Sequence, residues 1–239
     1  MTVDASTLVT ICARGGSKGV PDKNVRDLDG QPLITHTIRQ AKQWDRTTDL
    51  VVSTDSDGIS MVAEDAGARV PFRRPDELAT DEAAKLPVIQ HAHEQMESIT
   101  GRTYDYVVDL DATAPLRLVA DIENCFQRVH GTEATNAYTV TEADKNPYFN
   151  MVELDENGYA SLSKSLDDEV VRRQDAPSVY EMNASVYTYE RSYLADADST
   201  HGDRTGVAEM PPERSVDIDR PIDFALVKFL VEEWGVDFD

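Results

Sequence analysis

Residues 8–24 read Leu-Val-Thr-Ile-Cys-Ala-Arg-Gly-Gly-Ser-Lys-Gly-Val-Pro-Asp-Lys-Asn. Leu8 to Cys12 has the near-continuous apolar character of a strand buried on both faces of a parallel sheet. It runs into a turn that carries Gly15, Gly16 and Gly19, which let a backbone take φ > 0 and come close to a ligand. Successive N–H groups in such a turn can form a concave anion site. Arg14, Lys18 and Lys23 crowd three cations into ten residues of a chain whose formal net charge is −22. An ordinary glycine-rich βα loop explains the glycines but not the cations. Strand, turn and cations together point to a nucleoside triphosphate. Two commoner phosphate motifs are excluded: the spacing G-x-G-x-x-G is absent, and the Walker pattern fails because Gly19, not Ser or Thr, follows Lys18.

Outward from this turn, strand and helix patterns alternate. Pro32 to Gln43 has Leu33, Ile34, Thr37, Ile38 and Ala41 at helical spacing, with Pro in the first turn. Leu50 to Ser53 is a second strand, and Asp55 or Ser56 caps a helix around Ile59 to Ala66. Ala68 to Val70 reads as a short third strand. Asp81 to Ile99 reads as a long helix, Tyr106 to Leu110 as a strand, Val119 to His130 as a helix and Ala134 to Val140 as a strand. This alternation predicts an α/β fold, a Rossmann-like and mostly parallel sheet with helices on both faces. From about residue 141 to 182 the rhythm stops. A hairpin-like piece at Met151 to Leu154, with a turn at Asn157-Gly158-Tyr159, reads as an inserted arm within a single domain spanning 1–239. On the residues alone the arm could be a mere surface excursion.

Composition narrows the class. Lys and Arg total 23 against 45 Asp and Glu, dispersed along the whole chain. That suggests a high-salt cytoplasm, or an acidic protein of ordinary salt. Without a basic stripe, nucleic-acid binding is disfavoured. Cys12 and Cys125 read as small buried hydrophobes, and no cysteine–histidine cluster offers a zinc site. With no secretory leader and no apolar run long enough to span a bilayer, a soluble cytoplasmic protein is expected.

The run ARGGSKGVPDKN (Ala13 to Asn24), followed by DGQPLITHTI (Asp29 to Ile38), resembles the N-terminal signature of the acylneuraminate cytidylyltransferases, the CMP-sialic acid synthetase family. The resemblance extends from about Val9 to Leu230 and closes on Ser215-Val216-Asp217-Ile218-Asp219. It implies a nucleotide-diphospho-sugar transferase type of fold that transfers CMP from CTP to the anomeric hydroxyl of a nonulosonic acid and releases pyrophosphate. Ala13, Arg14, Gly15, Gly16, Ser17, Lys18, Lys23 and Asn24 would hold the nucleotide. Arg74, in the run Arg74-Pro75-Asp76-Glu77-Leu78-Ala79-Thr80-Asp81, and Lys85 one helical turn further on would join them. The bland alternative is that Arg73 and Arg74 only neutralise nearby acids.

Asp111, Thr113 and Arg117 occupy a segment where the family usually shows QPTSPLR. Asp111 and Ala112 replace Gln and Pro, a change expected to alter recognition of an anionic sugar. Arg173, Gln174 and Asn183 would hold the sugar acid, Arg173 through its planar fork, with Tyr187 packing beneath. The segment HGDRTG (His201 to Gly206) lacks the aromatic residues common beside sialic acid, a second pointer to another nonulosonic acid. Asp217 and Asp219 alternate, so on a strand both carboxylates share a face and suit Mg²⁺; in so acidic a chain they could equally be solvated. Arg14, Lys23, Asp217 and Asp219 are the implied catalytic set. The family's arm makes a homodimer and reaches into the partner's active site. Three rivals remain: transfer of another nucleotide or to another keto-deoxy acid, a non-catalytic nucleotide-sugar binding module, and a purely structural dimer.

Overall fold

The computed structural model describes residues 5–166 and 172–235. Ten strands and six helices follow in chain order among them. The first half contains β1 (Thr7–Cys12), β2 (Asp27–Leu28), β3 (Gln31–Pro32), α1 (Leu33–Gln43), β4 (Asp49–Ser53), α2 (Asp57–Asp65), α3 (Lys85–Thr100) and β5 (Tyr106–Leu110). The second half contains α4 (Val119–Gln127), β6 (Asn136–Glu142), β7 (Val152–Leu154), β8 (Ala160–Leu162), β9 (Tyr180–Glu190), α5 (Arg191–Asp196), β10 (Thr205–Glu209) and α6 (Pro221–Glu232).

Six strands form the central sheet in the order β10-β6-β9-β5-β1-β4. Only β9 runs against its neighbours; β1 pairs parallel with β4 and β5, and β10 with β6. The expected mostly parallel sheet is therefore present, with its reversal at β9. Ala68 to Val70 adds only a single bridge, Arg69 to Val51.

Both faces of the sheet are covered, as its doubly apolar strands require. On one face Ile34 and Ile38 of α1, Ile59 of α2, and Ile122 and Phe126 of α4 pack on Val9, Ile11 and Val108. On the other, Leu86, Ile89 and Met96 of α3 and Leu194 of α5 pack on Leu8, Val107 and Tyr189. A third cluster does the most for the site. Phe224, Val227 and Leu230 of α6 pack with Val20, Leu28, Leu33, Leu116 and Ile218. The helix after the terminal aspartates is thereby tied to the loop after β1.

Local signals set several boundaries. Pro32 precedes α1, and the Ser56 hydroxyl caps α2 by accepting from the Ile59 N–H at 3.4 Å. In α6, Pro221 opens the first turn, while the Asp223 carboxylate accepts from the N–H groups of Arg220 (2.7 Å) and Asp219 (3.2 Å). The expected arm is a two-stranded antiparallel hairpin of β7 and β8 turning at Gly158, whose φ is 83°. Residues 167–171 of the arm lie outside the described residues.

Candidate active site

The carboxyl ends of β1 and β5 open into a cleft of about 430 Å³, the position where open α/β sheets bind ligands. Its walls bring together Arg14, Ser17, Lys18, Lys23 and Asn24 from the loop after β1, Arg74 and Lys85 from the segment leading into α3, Asp111 and Thr113 after β5, and Asp217 and Asp219 before α6. Stretches from both ends of the chain thus meet in one place.

The glycines of the loop work differently from expectation. None of Gly15, Gly16 and Gly19 has a positive φ; the left-handed residue here is Asp22, at 54°. Gly19 is required by close approach, because a Cβ there would lie 2.0 Å from the carbonyl oxygen of Asp219. Gly15 donates its N–H to Asp55 Oδ1 at 2.9 Å, and Ser17 donates to the Gly15 carbonyl. Those two N–H groups are therefore spent internally rather than offered to an anion. Ala13 is buried, with its N–H on the Ser53 carbonyl at 3.1 Å, and Gly16 is exposed. Asn24 is buried and donates to the Arg14 carbonyl at 3.2 Å, bracing the residue that carries the guanidinium.

Lys23 joins the two ends of the chain. Its ammonium donates to the Ile218 carbonyl at 2.6 Å and lies 3.3 Å from Asp219 Oδ1. Residues 215–219 run without a strand partner, so Asp217 and Asp219 do not alternate on a strand as expected. They are held instead by Ile218, fully buried between them, whose N–H donates to the Thr113 carbonyl at 2.9 Å. Both still reach the cleft, Asp217 half-buried and Asp219 exposed.

A buried polar chain floors the cleft. Thr10 donates to Asp109 at 2.7 Å, and the Lys85 ammonium reaches Asp109 at 3.1 Å and Asp111 at 2.7 Å. The same ammonium lies 4.6 Å from the centre of the Tyr187 ring, within cation–π range, so Tyr187 packs against Lys85. Burial opposes the Lys85 charge, but Asp111 and Asp109 outweigh it and hold the ammonium well above the ordinary lysine value. Burial likewise opposes the Asp111 charge, yet Lys85 and the Thr113 bonds bring that carboxyl to about 2. Asp111 is therefore a neutralised partner rather than a bare anion facing the acceptor. The long helix begins at Lys85, not Asp81, which places this lysine on its first residue.

The Thr113 hydroxyl lies 2.9 Å from Asp111 Oδ1 and 2.5 Å from Asp217 Oδ1. One hydroxyl proton cannot serve both acceptors at once. Burial pushes Asp217 up to about 6, and the charges of Asp111 and Asp219 add to the rise. Among the described residues no three His, Cys, Asp or Glu side chains gather into a ready metal cage.

Several expected contacts lie elsewhere. Arg117 is fully buried beneath the cleft, where it donates to Ser185 (2.9 Å), Thr37 (3.1 Å), Gln40 (3.2 Å) and the Asp111 carbonyl. These four bonds all go to the scaffold, and Arg117 does not line the cleft in which a sugar contact was expected of it. Asn183 is also buried. It sits where β9 loses register with β6 near Ala184 (φ 52°), accepts from Thr139 at 2.7 Å and donates to Ser215 at 2.9 Å. It steadies the approach to Asp217 from behind, and does not line the cleft. Arg173 and Gln174 line a separate hollow on the arm with Glu142, Asn146 and Pro177. Arg74 lines the cleft, but its guanidinium is drawn back onto the Ser53 side chain (3.2 Å) and carbonyl. Cys12 proves half-buried on the cleft wall, and burial pushes its thiol well up.

Two groups escaped the sequence reading. Asp81 accepts ion pairs from both Arg14 and Lys18, and Asp109 anchors Lys85. Asp81 lay within the quoted Arg74–Asp81 run; nothing local marked its partners.

Comparison with known proteins places the chain in a family. The profile of the family described as Cytidylyltransferase matches residues 8–228. The chain is 40% identical over 226 residues to the post-translational flagellin modification protein B of Campylobacter coli, covering 95% of each. It is 41% identical over 227 residues to the CMP-N,N'-diacetyllegionaminic acid synthase of Campylobacter jejuni, again covering 95% of each. A solved CMP-2-keto-3-deoxy-manno-octonic acid synthetase complexed with CTP superposes with a TM-score of 0.71 at 17% identity, over 96% of this chain and all of that one. The chain belongs to the cytidylyltransferase family.

Proposed function

We propose that the protein transfers the cytidylyl group of CTP to the anomeric hydroxyl of a nonulosonic acid of the legionaminic type, releasing pyrophosphate. The observation that carries this reading is the single cleft in which Arg14, Lys18 and Lys23 face Asp217 and Asp219. The near full-length identity to a legionaminic acid synthase supports the acceptor class.

In this reaction the acceptor oxygen forms a bond to the α-phosphorus as the bond to the bridging oxygen breaks in line. Such a step asks a protein mainly for positioning and charge stabilisation. Arg14, Lys18 and Lys23 hold the phosphates, and Lys23, fixed on the Ile218 carbonyl, aligns them with the carboxylates. Asp217 and Asp219 would hold Mg²⁺. The fit rests on the under-served Asp217, whose carboxyl is pushed to about 6 by burial and by Asp111 and Asp219. A cation that takes one or two carboxylates, phosphate oxygens and water suits such a pair. What Mg²⁺ supplies when bound is neutralisation of the departing pyrophosphate and a lower pKa for the attacking hydroxyl.

We place the acceptor's carboxylate at Arg173 and Gln174 of a partner protomer, in a homodimer built by the arm. Support comes from their position outside the chain's own cleft and from the apolar side chains the arm presents, Val152, Leu154, Tyr159 and Leu162, each 47–75% exposed. The enzyme is assigned to a cytoplasm of high salt on its net charge of −22; among the described residues no helix is long and apolar enough to cross a membrane. Melting temperature should rise as KCl goes from about 0.2 to about 2 M, because salt screens self-repulsion; a flat response removes the high-salt assignment.

The test is pyrophosphate release with Mg²⁺, scanning CTP, GTP, UTP and ATP against a panel of nonulosonic acids. Release with CTP and a legionaminic-type acid is the expected result. Preference for another nucleotide would keep the cleft and overturn the cytidylyl assignment.

A further inference from the structure

Asp81 stands where an anionic ligand is expected. Its carboxylate is paired with both Arg14 and Lys18, whose hydrogen bonds draw its pKa below the ordinary value, that of Lys18 most. Asp81 comes from the opposite wall, in the stretch 79–84 between the single turn Asp76–Leu78 and α3. That stretch is lightly tied: Ala79 N–H donates to the Asp76 carbonyl at 3.0 Å and Ala83 N–H to that of Thr80 at 3.4 Å. The pairs themselves are open to water, the Lys18 side chain being 81% exposed and those of Asp81 and Arg14 34% and 31%. Exposed pairs of this kind contribute little net stability. Lys23 differs, since it is 13% exposed and anchored on a carbonyl from the other end of the chain.

We propose that Asp81 is a built-in competitor for the phosphate subsite. Its carboxylate holds Arg14 and Lys18 when no nucleotide is bound, yields them to the triphosphate, and takes them back as pyrophosphate leaves. A single carboxylate loses to a polyphosphate for the same two cations, yet it lowers the net affinity by the strength of the pairs that must break. It acts most usefully on the product, which retains no nucleoside contacts. The idea rests on the proposed function in one respect, the assignment of Arg14 and Lys18 to phosphate.

The experiment is calorimetric titration of inorganic pyrophosphate and of CTP into wild type, D81N, D81A and E82Q at one fixed salt concentration, with stopped-flow dissociation of pyrophosphate. E82Q changes the charge equally in the same turn. D81N and D81A should bind pyrophosphate about five- to tenfold more tightly, as expected for losing two exposed pairs, and release it more slowly by a similar factor. E82Q should stay within about twofold of wild type, given the weakness of isolated surface charges. Weaker or unchanged binding in both Asp81 variants would overturn the proposal, as would an equal shift in E82Q. If wild type binds pyrophosphate but turns over no CTP with any acid, the substrate reading fails by itself, and the Asp81 variants still decide the competitor.

Discussion

Gly19→Ala tests how the two ends of the chain are joined. A Cβ at this position would lie 2.0 Å from the Asp219 carbonyl oxygen and 3.2 Å from its carbonyl carbon. Since side-chain carbons are essentially never found within 3.0 Å of such an atom, one backbone must move against the other by about 1 Å. Neither side yields cheaply, because Ile218 is fully buried in the α6 cluster and Lys23 is fastened to the Ile218 carbonyl. The cost is steric and not conformational, as Gly19 has no positive φ. Overpacking of this kind costs about 1–3 kcal/mol, or roughly 2–12 °C in melting temperature for a domain of this size. A displacement of about 1 Å between phosphate-holding and metal-side groups costs on the order of 100-fold in rate. Gly58→Ala is the matched control, because its added carbon would meet nothing nearer than the Ser56 Oγ at 3.7 Å and it lies outside the cleft. Pyrophosphate release and thermal melting should therefore show G19A about 100-fold down in kcat/KM, with G58A within about threefold of wild type. Equal activity and melting in the two variants would refute the steric reasoning.

Arg117→Met should lower unfolding free energy in urea by about 2–4 kcal/mol, because it strips donors from several buried acceptors; in protein that stays folded at low temperature, the KM for the acid should hold. A raised KM with unchanged stability would restore Arg117 as a sugar contact. Glu97, bidentate to Arg191 at 2.9 and 3.0 Å, is held at about 2 against an ordinary 4.5, with the Arg191 hydrogen bonds the largest cause. A carboxylate depressed by folding stabilises fully above its unfolded value and loses that contribution as pH falls toward its folded one. Wild type should thus exceed Glu97→Gln by about 1 kcal/mol at pH 7, a figure discounted for the exposed Arg191. The gap should close between pH 4.5 and about 2; a gap constant with pH would assign the effect to packing. Arg173→Ala should raise the KM for the sugar acid at least about tenfold, the usual scale for a lost charge-assisted contact, and leave that for CTP nearly unchanged. The opposite pattern would exchange the two subsites.

What could be read from the sequence was mostly local. Leu8 to Cys12 and Tyr106 to Leu110 are strands because their apolar runs need cover on both faces, and Ser56 and Asp223 cap helices a few residues away. The cations of the loop after β1 stood out because three in ten residues contrast with the chain's dispersed acidity, whereas Asp217 and Asp219 were singled out only by the family resemblance. What escaped depends on partners remote in sequence. Arg117 resembles a surface or substrate-facing arginine until Ser185, Thr37 and Gln40, 68 to 80 residues away, are brought around it. The glycine turn suggested backbone freedom, but the reason for Gly19 is the Asp219 carbonyl from the far end of the chain. Asp81 looked like the first residue of a long helix, and only the folded cleft pairs it with Arg14 and Lys18.

Mass spectrometry of the product tests the central claim most directly. Wild type and Asp219→Ala would be incubated side by side with CTP, Mg²⁺ and N,N'-diacetyllegionaminic acid. The expected result is the CMP-linked sugar acid from wild type and none from a variant that remains folded. An equal yield from the variant, or no CMP-linked product from wild type with any nonulosonic acid, would contradict it.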